Sequence, residues 1–205
     1  MTKYFIITGG AGFVASNLIN SLIGNKNNII IAIDDFTLGQ KENIIKFKKK
    51  NNFFFFKQDI NKIDLVLKKL KYFDFKNNPS FFYHLAANSD VKKPQNFPNV
   101  DMEKTLLTTI SSVKIFNALK LKYFIFTSSP VIYGEVNKPI NKNTKELPIS
   151  NYGYAKLFSE KYISKAINKK ASVWIFRFPN VVGPFLTHGI LFDFNLKLNK
   201  IKSIL

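Results

Sequence analysis

The chain has 205 residues, 46% of them hydrophobic, with 31 Lys and Arg against 13 Asp and Glu and a formal net charge of +18. That is enough apolar material for one core, and the absence of cysteine excludes a disulfide framework, a thiolate metal site and a thiol nucleophile, which fits a reducing cytoplasm and no bound metal. The positive charge is mostly Lys dispersed among Asn, Ile and Phe, a set with A- and T-rich codons. No nucleic-acid-binding motif accompanies it and no segment is long and apolar enough to span a bilayer, so neither partner is expected.

Met1-Thr2-Lys3-Tyr4-Phe5 shows no basic leader ahead of a long apolar run, so no secretory signal is expected. Apolar runs near 3–8, 28–33, 53–57, 80–85, 122–128 and 172–177 alternate with helically spaced segments near 12–24, 40–49, 61–72, 100–120 and 151–170. This rhythm predicts an α/β fold, a Rossmann-type doubly wound parallel sheet with helices on both faces. Each strand reads as buried on both faces, and the four aromatics Phe53 to Phe56 suit a central strand. Lys46-Phe47-Lys48-Lys49-Lys50 reads as a solvated helix end, and Gly189 to Lys200 as one further helix.

Directly after the first strand comes Gly9-Gly10-Ala11-Gly12-Phe13-Val14-Ala15, leading into a helix with Leu18, Ile19 and Leu22 on one face. Glycines let the backbone turn sharply and approach a pyrophosphate, which the first free N–H groups and the dipole of the helix then hold. Gly10, Gly12 and Ala15 fit the dinucleotide form, and Gly9, Gly12, Phe13 and Val14 are the residues offered to the cofactor. Asp34 ends the second strand, where a carboxylate accepts from the adenosine ribose hydroxyls and repels a 2′-phosphate, favouring NAD over NADP. Asp35 is adjacent and competes for that role. Asp59-Ile60 ends the third strand on the adenine side, although Asp59 is equally readable as a helix N-cap.

Asn151-Tyr152-Gly153-Tyr154-Ala155-Lys156 opens a predicted helix and puts Tyr152 and Lys156 on one face. A cationic Lys near the phenol lowers its pKa, so that Tyr152 can serve as general base. The run Phe126 to Gly134 ends the fifth strand at the sheet edge where such folds bind ligands, and Ser129 there is placed to hydrogen-bond a substrate oxygen.

These segments, with His84-Leu85-Ala86-Ala87 and Arg177-Phe178-Pro179-Asn180-Val181-Val182-Gly183-Pro184, resemble the extended short-chain dehydrogenase/reductases, within the sugar-nucleotide epimerase/dehydratase group. The resemblance implies that Ala86 and Ala87 lie along bound NAD together with Tyr152 and Lys156. It also implies that Asn180 contacts the substrate's nucleotide diphosphate, and that Ser129, Tyr152 and Lys156 are catalytic. His84 reads as a packed strand-end residue, Arg177 as a structural partner, and His188 is unassigned. Ala15 replaces the commonest third glycine, and Thr108 stands where many relatives carry Asn. Where dehydratases of the group carry Asp-Glu, this chain has Pro130-Val131, so the resemblance implies epimerisation of a nucleotide sugar at C4, of the UDP-glucose/UDP-galactose type. Another dehydratase, decarboxylase or reductase of the group, or a non-catalytic NAD(P)-binding regulator, are the alternatives. Relatives continue beyond the position of Leu205. The expectation is a NAD-binding domain over 1–184, the start of a substrate lobe over 185–205 with an exposed apolar face, weak or absent turnover, and possible dimerisation through the helices near 100–120 and 151–170.

Overall fold

The computed structural model describes residues 1–88, 99–184, 186 and 190–202. Six strands, β1 (Lys3–Thr8), β2 (Asn28–Asp34), β3 (Phe53–Lys57), β4 (Ser80–His84), β5 (Tyr123–Ser128) and β6 (Ser172–Arg177), form one parallel sheet in the order β3-β2-β1-β4-β5-β6. The helices are α1 (Phe13–Leu22), α2 (Glu42–Ile45), α3 (Ile63–Leu70), α4 (Thr108–Ala118), α5 (Asn151–Ala166) and α6 (Ile190–Lys202). A π-helical segment, Met102–Leu107, runs directly into α4. The order reverses between β1 and β4, the switch point at which open α/β sheets bind ligands beyond the carboxyl ends of their strands.

Two cores lie on opposite sides of the sheet because successive strand residues point to opposite faces. Ile6, Ile31, Ile33, Phe82, Phe124 and Phe126 pack with Val66, Leu70, Phe116 and Ile163 of α3, α4 and α5. Phe5, Ile7, Ile30 and Ala32 pack with Ala15, Ile19 and Ile44 of α1 and α2. Phe116 meets Phe82 and Phe124 edge-on, the arrangement aromatic quadrupoles favour.

Three sequence expectations are corrected here. β3 is an edge strand, and Phe54 is 38% exposed. Its aromatics are held by ring contacts near the edge, Phe54 and Phe56 on Phe73, Phe53 on Phe47, and Phe55 on Phe36. β6 is the opposite edge and is not buried on both faces. Val173 and Ile175 join the core, while Trp174 and Phe176 face the other way and stay 43% exposed. The segment expected as a helix over 40–49 keeps one helical turn.

Candidate cofactor and catalytic site

The glycine-rich turn is built against the start of the segment after β4. Gly9 has φ +67°, and a Cβ there would sit 2.8 Å from the Ala86 nitrogen, so only glycine fits both the left-handed backbone and the contact. The strained position is thus Gly9, one residue ahead of the Gly10-x-Gly12 spacing used to read the motif. Gly12 N-caps α1 in extended conformation, no side chain caps the helix, and no acidic residue stands in its first turn. The first-turn N–H groups, those of Phe13 and Val14 among them, are therefore available to an anion.

Asp34 lies beside this turn, 8% exposed, with Oδ2 accepting from the Ala11 N–H at 3.0 Å and Oδ1 from the Phe36 N–H at 2.7 Å. A Cβ on Gly39 would come within 2.6 Å of Oδ1, so the chain closes over the carboxylate. Burial raises the Asp34 pKa, against the lowering by its two main-chain donors. Asp35 does not share this position: Oδ2 is 2.7 Å from Lys104 Nζ and Oδ1 accepts from the Thr37 N–H at 2.7 Å. Asp59 is not a helix N-cap, since Lys62 occupies that place; Asp59 accepts instead from the Asn61 N–H at 2.9 Å and closes a turn ahead of the helix. Ile60 is buried in the core, so any ligand contact it makes is through its main chain.

His84 is fully buried at the end of β4. The Thr109 hydroxyl donates its single proton to the Thr105 carbonyl at 2.8 Å, so His84 Nε2, 2.9 Å from Thr109 Oγ1, must donate to it. Nδ1 is then the acceptor, with the Thr8 and Ser112 hydroxyls at 2.8 and 3.1 Å. Thr8 Oγ1 in turn accepts from the Ala86 N–H at 3.3 Å. Burial first, and the charge of Lys156 second, push the imidazole down to about 3, so His84 is neutral and holds the floor under Gly9 and Ala86. Ala86 and Ala87 are half-buried. Thr108 is 4% exposed and its hydroxyl faces the carbonyls of Lys104 and Thr105, both at 3.0 Å, so it is not free for a ligand.

On the far side of the switch point, Ser150 N-caps α5 by accepting from the Gly153 N–H at 3.1 Å, which sets the helix start and with it Tyr152 and Lys156. Lys156 Nζ donates to the Thr127 carbonyl at 2.6 Å and lies 4.7 Å from the Phe126 ring centre and 5.7 Å from that of Tyr152. Ser129 follows β5 and caps the short turn Pro130–Tyr133, its Oγ accepting from the Val131 N–H at 3.4 Å.

The expected lowering of the phenol is corrected by these surroundings. Burial first, and the nearby Asp101 carboxylate second, push the Tyr152 pKa up to about 12. Lys156 is itself buried and pushed down to about 7, with Glu160 opposing that shift. Asp101, 1% exposed, accepts from Asn88 Nδ2 at 2.8 Å.

Arg177, at the end of β6, makes a two-pronged pair with Glu160 at 3.0 and 2.7 Å, meets Glu146 at 2.5 Å, and donates to the Tyr133 hydroxyl. Asn180 is exposed in the segment that follows. That segment returns to α1, where Asn17 Nδ2 donates to the Pro184 carbonyl at 2.8 Å and Gly183 lies against the Phe13 ring. His188 lies outside the described residues. Spacing alone does not reveal Thr8, Asp101, Lys104 or Glu146; Glu160, one helical turn beyond Lys156, was within reach of the same i,i+4 argument that found the Lys.

A doubly wound sheet with a glycine turn at its switch point, an acidic end to β2 and a Tyr-x-x-x-Lys helix beside β5 defines the Rossmann class. The sequence profile of the NAD dependent epimerase/dehydratase family matches residues 5–203. The chain is 32% identical over 182 residues to a Methanocaldococcus jannaschii protein provisionally named UDP-glucose 4-epimerase, covering 87% of this chain and 56% of that protein. It is 27% identical over 165 residues to the UDP-glucose 4-epimerase of Mycolicibacterium smegmatis, covering 78% and 50%. In fold it is similar to the Bordetella bronchiseptica enzyme WbmG in complex with NAD, with TM-score 0.83 at 23% identity over 98% of this chain and 60% of that one. The Thermotoga maritima UDP-glucose 4-epimerase with UDP-glucose gives TM-score 0.81 at 25% identity over 96% and 63%. The chain belongs to the NAD dependent epimerase/dehydratase family, and it spans about half the length of the curated relatives it matches. NAD is the cofactor of that family. The uncapped helix start, the backbone of Gly9 pressed on Ala86, and the buried acceptor Asp34 fit a dinucleotide.

Proposed function

We propose that this chain carries the cofactor and catalytic half of a nucleotide-sugar 4-epimerase of the UDP-glucose/UDP-galactose type. The observation that supports this best is Tyr152 and Lys156 together on α5, docked by the Thr127 contact on the end of β5 next to Ser129, at the same sheet edge as the glycine turn and Asp34. Gly9, Gly12, Phe13 and Val14 hold the pyrophosphate, Asp34 the adenosine ribose, and Asp59 and the Ile60 main chain the adenine side. Ala86 and Ala87 lie along the cofactor. When bound, NAD would supply the hydride acceptor for C4 and the donor for its return, with no net redox change. Ser129 hydrogen-bonds the C4 oxygen, and Tyr152 removes its proton and later returns it. A phenol held near 12 is a poor base at neutral pH, so a cation brought near it on assembly of the site is part of its activation. Lys156, 5.7 Å from the centre of the phenol ring, contributes while it is charged, and burial makes that ammonium easier to deprotonate.

Epimerisation is preferred to dehydration because Pro130 and Val131 carry no proton-transfer group where the dehydratases of the group carry two carboxylates. Asn180, exposed after β6, is free to meet the nucleotide diphosphate. The division into 1–184 and the start of a substrate lobe over 185–205 follows the same reading, as do a cytoplasmic location and a role in carbohydrate metabolism. Exposed Leu107, Tyr154 and Phe158 support dimerisation through the segment 102–118 and α5. Among the described residues no helix is long and apolar enough to cross a membrane.

The test is to purify the protein, identify bound NAD, and follow UDP-glucose and UDP-galactose interconversion. Tyr152→Phe is expected to keep the cofactor and lose about 100-fold or more of any turnover; equal activity in the variant overturns the assignment. A second reading, a NAD-binding protein without turnover, draws on the high phenol pKa and is favoured by bound NAD with no change in any nucleotide sugar tested.

A further inference from the structure

Resting on the dinucleotide reading above, we infer that the Asp35–Lys104 ion pair is a selectivity element for NAD over NADP, in which Asp35 keeps Lys104 from serving a 2′-phosphate. The two residues come from opposite sides of the switch point. Asp35 follows β2 directly, and Lys104 stands on the π-helical segment Met102–Leu107, in the connection between β4 and β5. Their 2.7 Å contact therefore bridges the two sides at the end of the cleft where Asp34 lies. Both side chains are little more than a quarter exposed, so water screens the pair only in part.

The charges around Lys104 make the argument. Its ammonium touches Asp35 and is felt by Asp34, Asp59 and Glu103, so it is a cation set among the carboxylates of the adenosine end. A phosphate on the ribose 2′ position adds roughly −1.5 to −2 charge beside Asp34. Lys104, in contact with Asp35 and felt by Asp34, is placed to offset that charge. Asp35 opposes it twice, by adding a carboxylate next to Asp34 and by occupying the ammonium that a phosphate needs. Asp34 alone repels the phosphate; Asp35 also removes the compensation. Asn at position 35 retains an oxygen for the Thr37 N–H, so the local turn survives while the charge is lost.

The experiment measures equilibrium binding of NAD and of NADP, by calorimetry, to the full chain and to Asp35→Asn, Lys104→Gln and the double variant. Wild type is expected to prefer NAD, and Asp35→Asn to lower the ratio of Kd for NADP to Kd for NAD about tenfold. Lys104→Gln alone brings no such gain, and in the double variant the gain disappears. A ratio in Asp35→Asn within about twofold of wild type overturns the inference, as does a gain that persists in the double variant. Should Asp35→Asn fail to fold, Asp35→Ser, which keeps a hydroxyl acceptor for the turn, carries the same expectation and the same overturning result. Wild type that binds neither nucleotide overturns the cofactor reading and this inference with it, whereas wild type that binds NAD beside an unresponsive Asp35→Asn overturns the inference alone.

Discussion

His84 shows at the scale of one residue how a polar group in the core serves the site without touching substrate. Its ring is held neutral at about 3 against an ordinary value near 6.5. Between those values the unfolded chain binds the extra proton and the folded chain does not, so this residue costs no stability above pH 6.5. Below it, stability falls by about 1.4 kcal/mol per pH unit until the folded value is reached. Melting curves at pH 7, 6, 5 and 4 should show this fall in wild type, and His84→Gln should show a shallower one; parallel curves count against it. Lys156, held near 7 against an ordinary 10.5, has the same sign in another window: stability rises with pH from 7 toward 10.5. At this scale the spacing of glycines, the acid at the end of β2 and Tyr-x-x-x-Lys were legible, because each is local. Lys104 and Asp101 were not. Their partners are distant in sequence, and a lysine among so many has no local signal that marks it.

At the scale of elements, Arg177 ties β6 to α5 and to the segment bearing Glu146. Glu160 is 5% exposed, so removing Arg177 strips a buried carboxylate of its hydrogen-bonded cation. Arg177→Gln is expected to lower unfolding free energy by about 3 kcal/mol at pH 7 in chemical denaturation, and adding Glu160→Gln to recover part of that loss. A double variant no more stable than Arg177→Gln alone argues that packing, not charge, is what Arg177 supplies. The six strands were readable because an apolar run of five or six residues between turns has few other uses. Whether a strand is central or at an edge was not readable, as Phe53 to Phe56 show: four aromatics satisfy a covered strand and an edge strand with ring partners equally well. The helix over 40–49 shrank to one turn because apolar spacing there is met by Ile44 and Phe47 alone, both buried, while Lys48, Lys49 and Lys50 stay in water.

Across the whole molecule, exposed apolar side chains gather at the late end of the chain. Trp174 and Phe176 of β6, with Phe178 beyond it, and Phe194, Leu196 and Leu198 of α6 are all at least 40% exposed. The segment after β6 nevertheless crosses back to the opening helix, through Asn17 and Pro184 and through Gly183 on Phe13. One helix end is therefore both the seat offered to a pyrophosphate and the mooring of the last described loop. Two events that grip the same few residues cannot be energetically independent. NAD binding is expected to slow amide exchange at residues 178–184 as well as at 9–15, and Asn17→Ala, which loosens the mooring, is expected to weaken NAD binding although Asn17 is not proposed to touch it. Exchange confined to 9–15 on NAD addition would show the two events to be separate. If they are joined, the first and last parts of this chain act as a clasp that a single dinucleotide fastens.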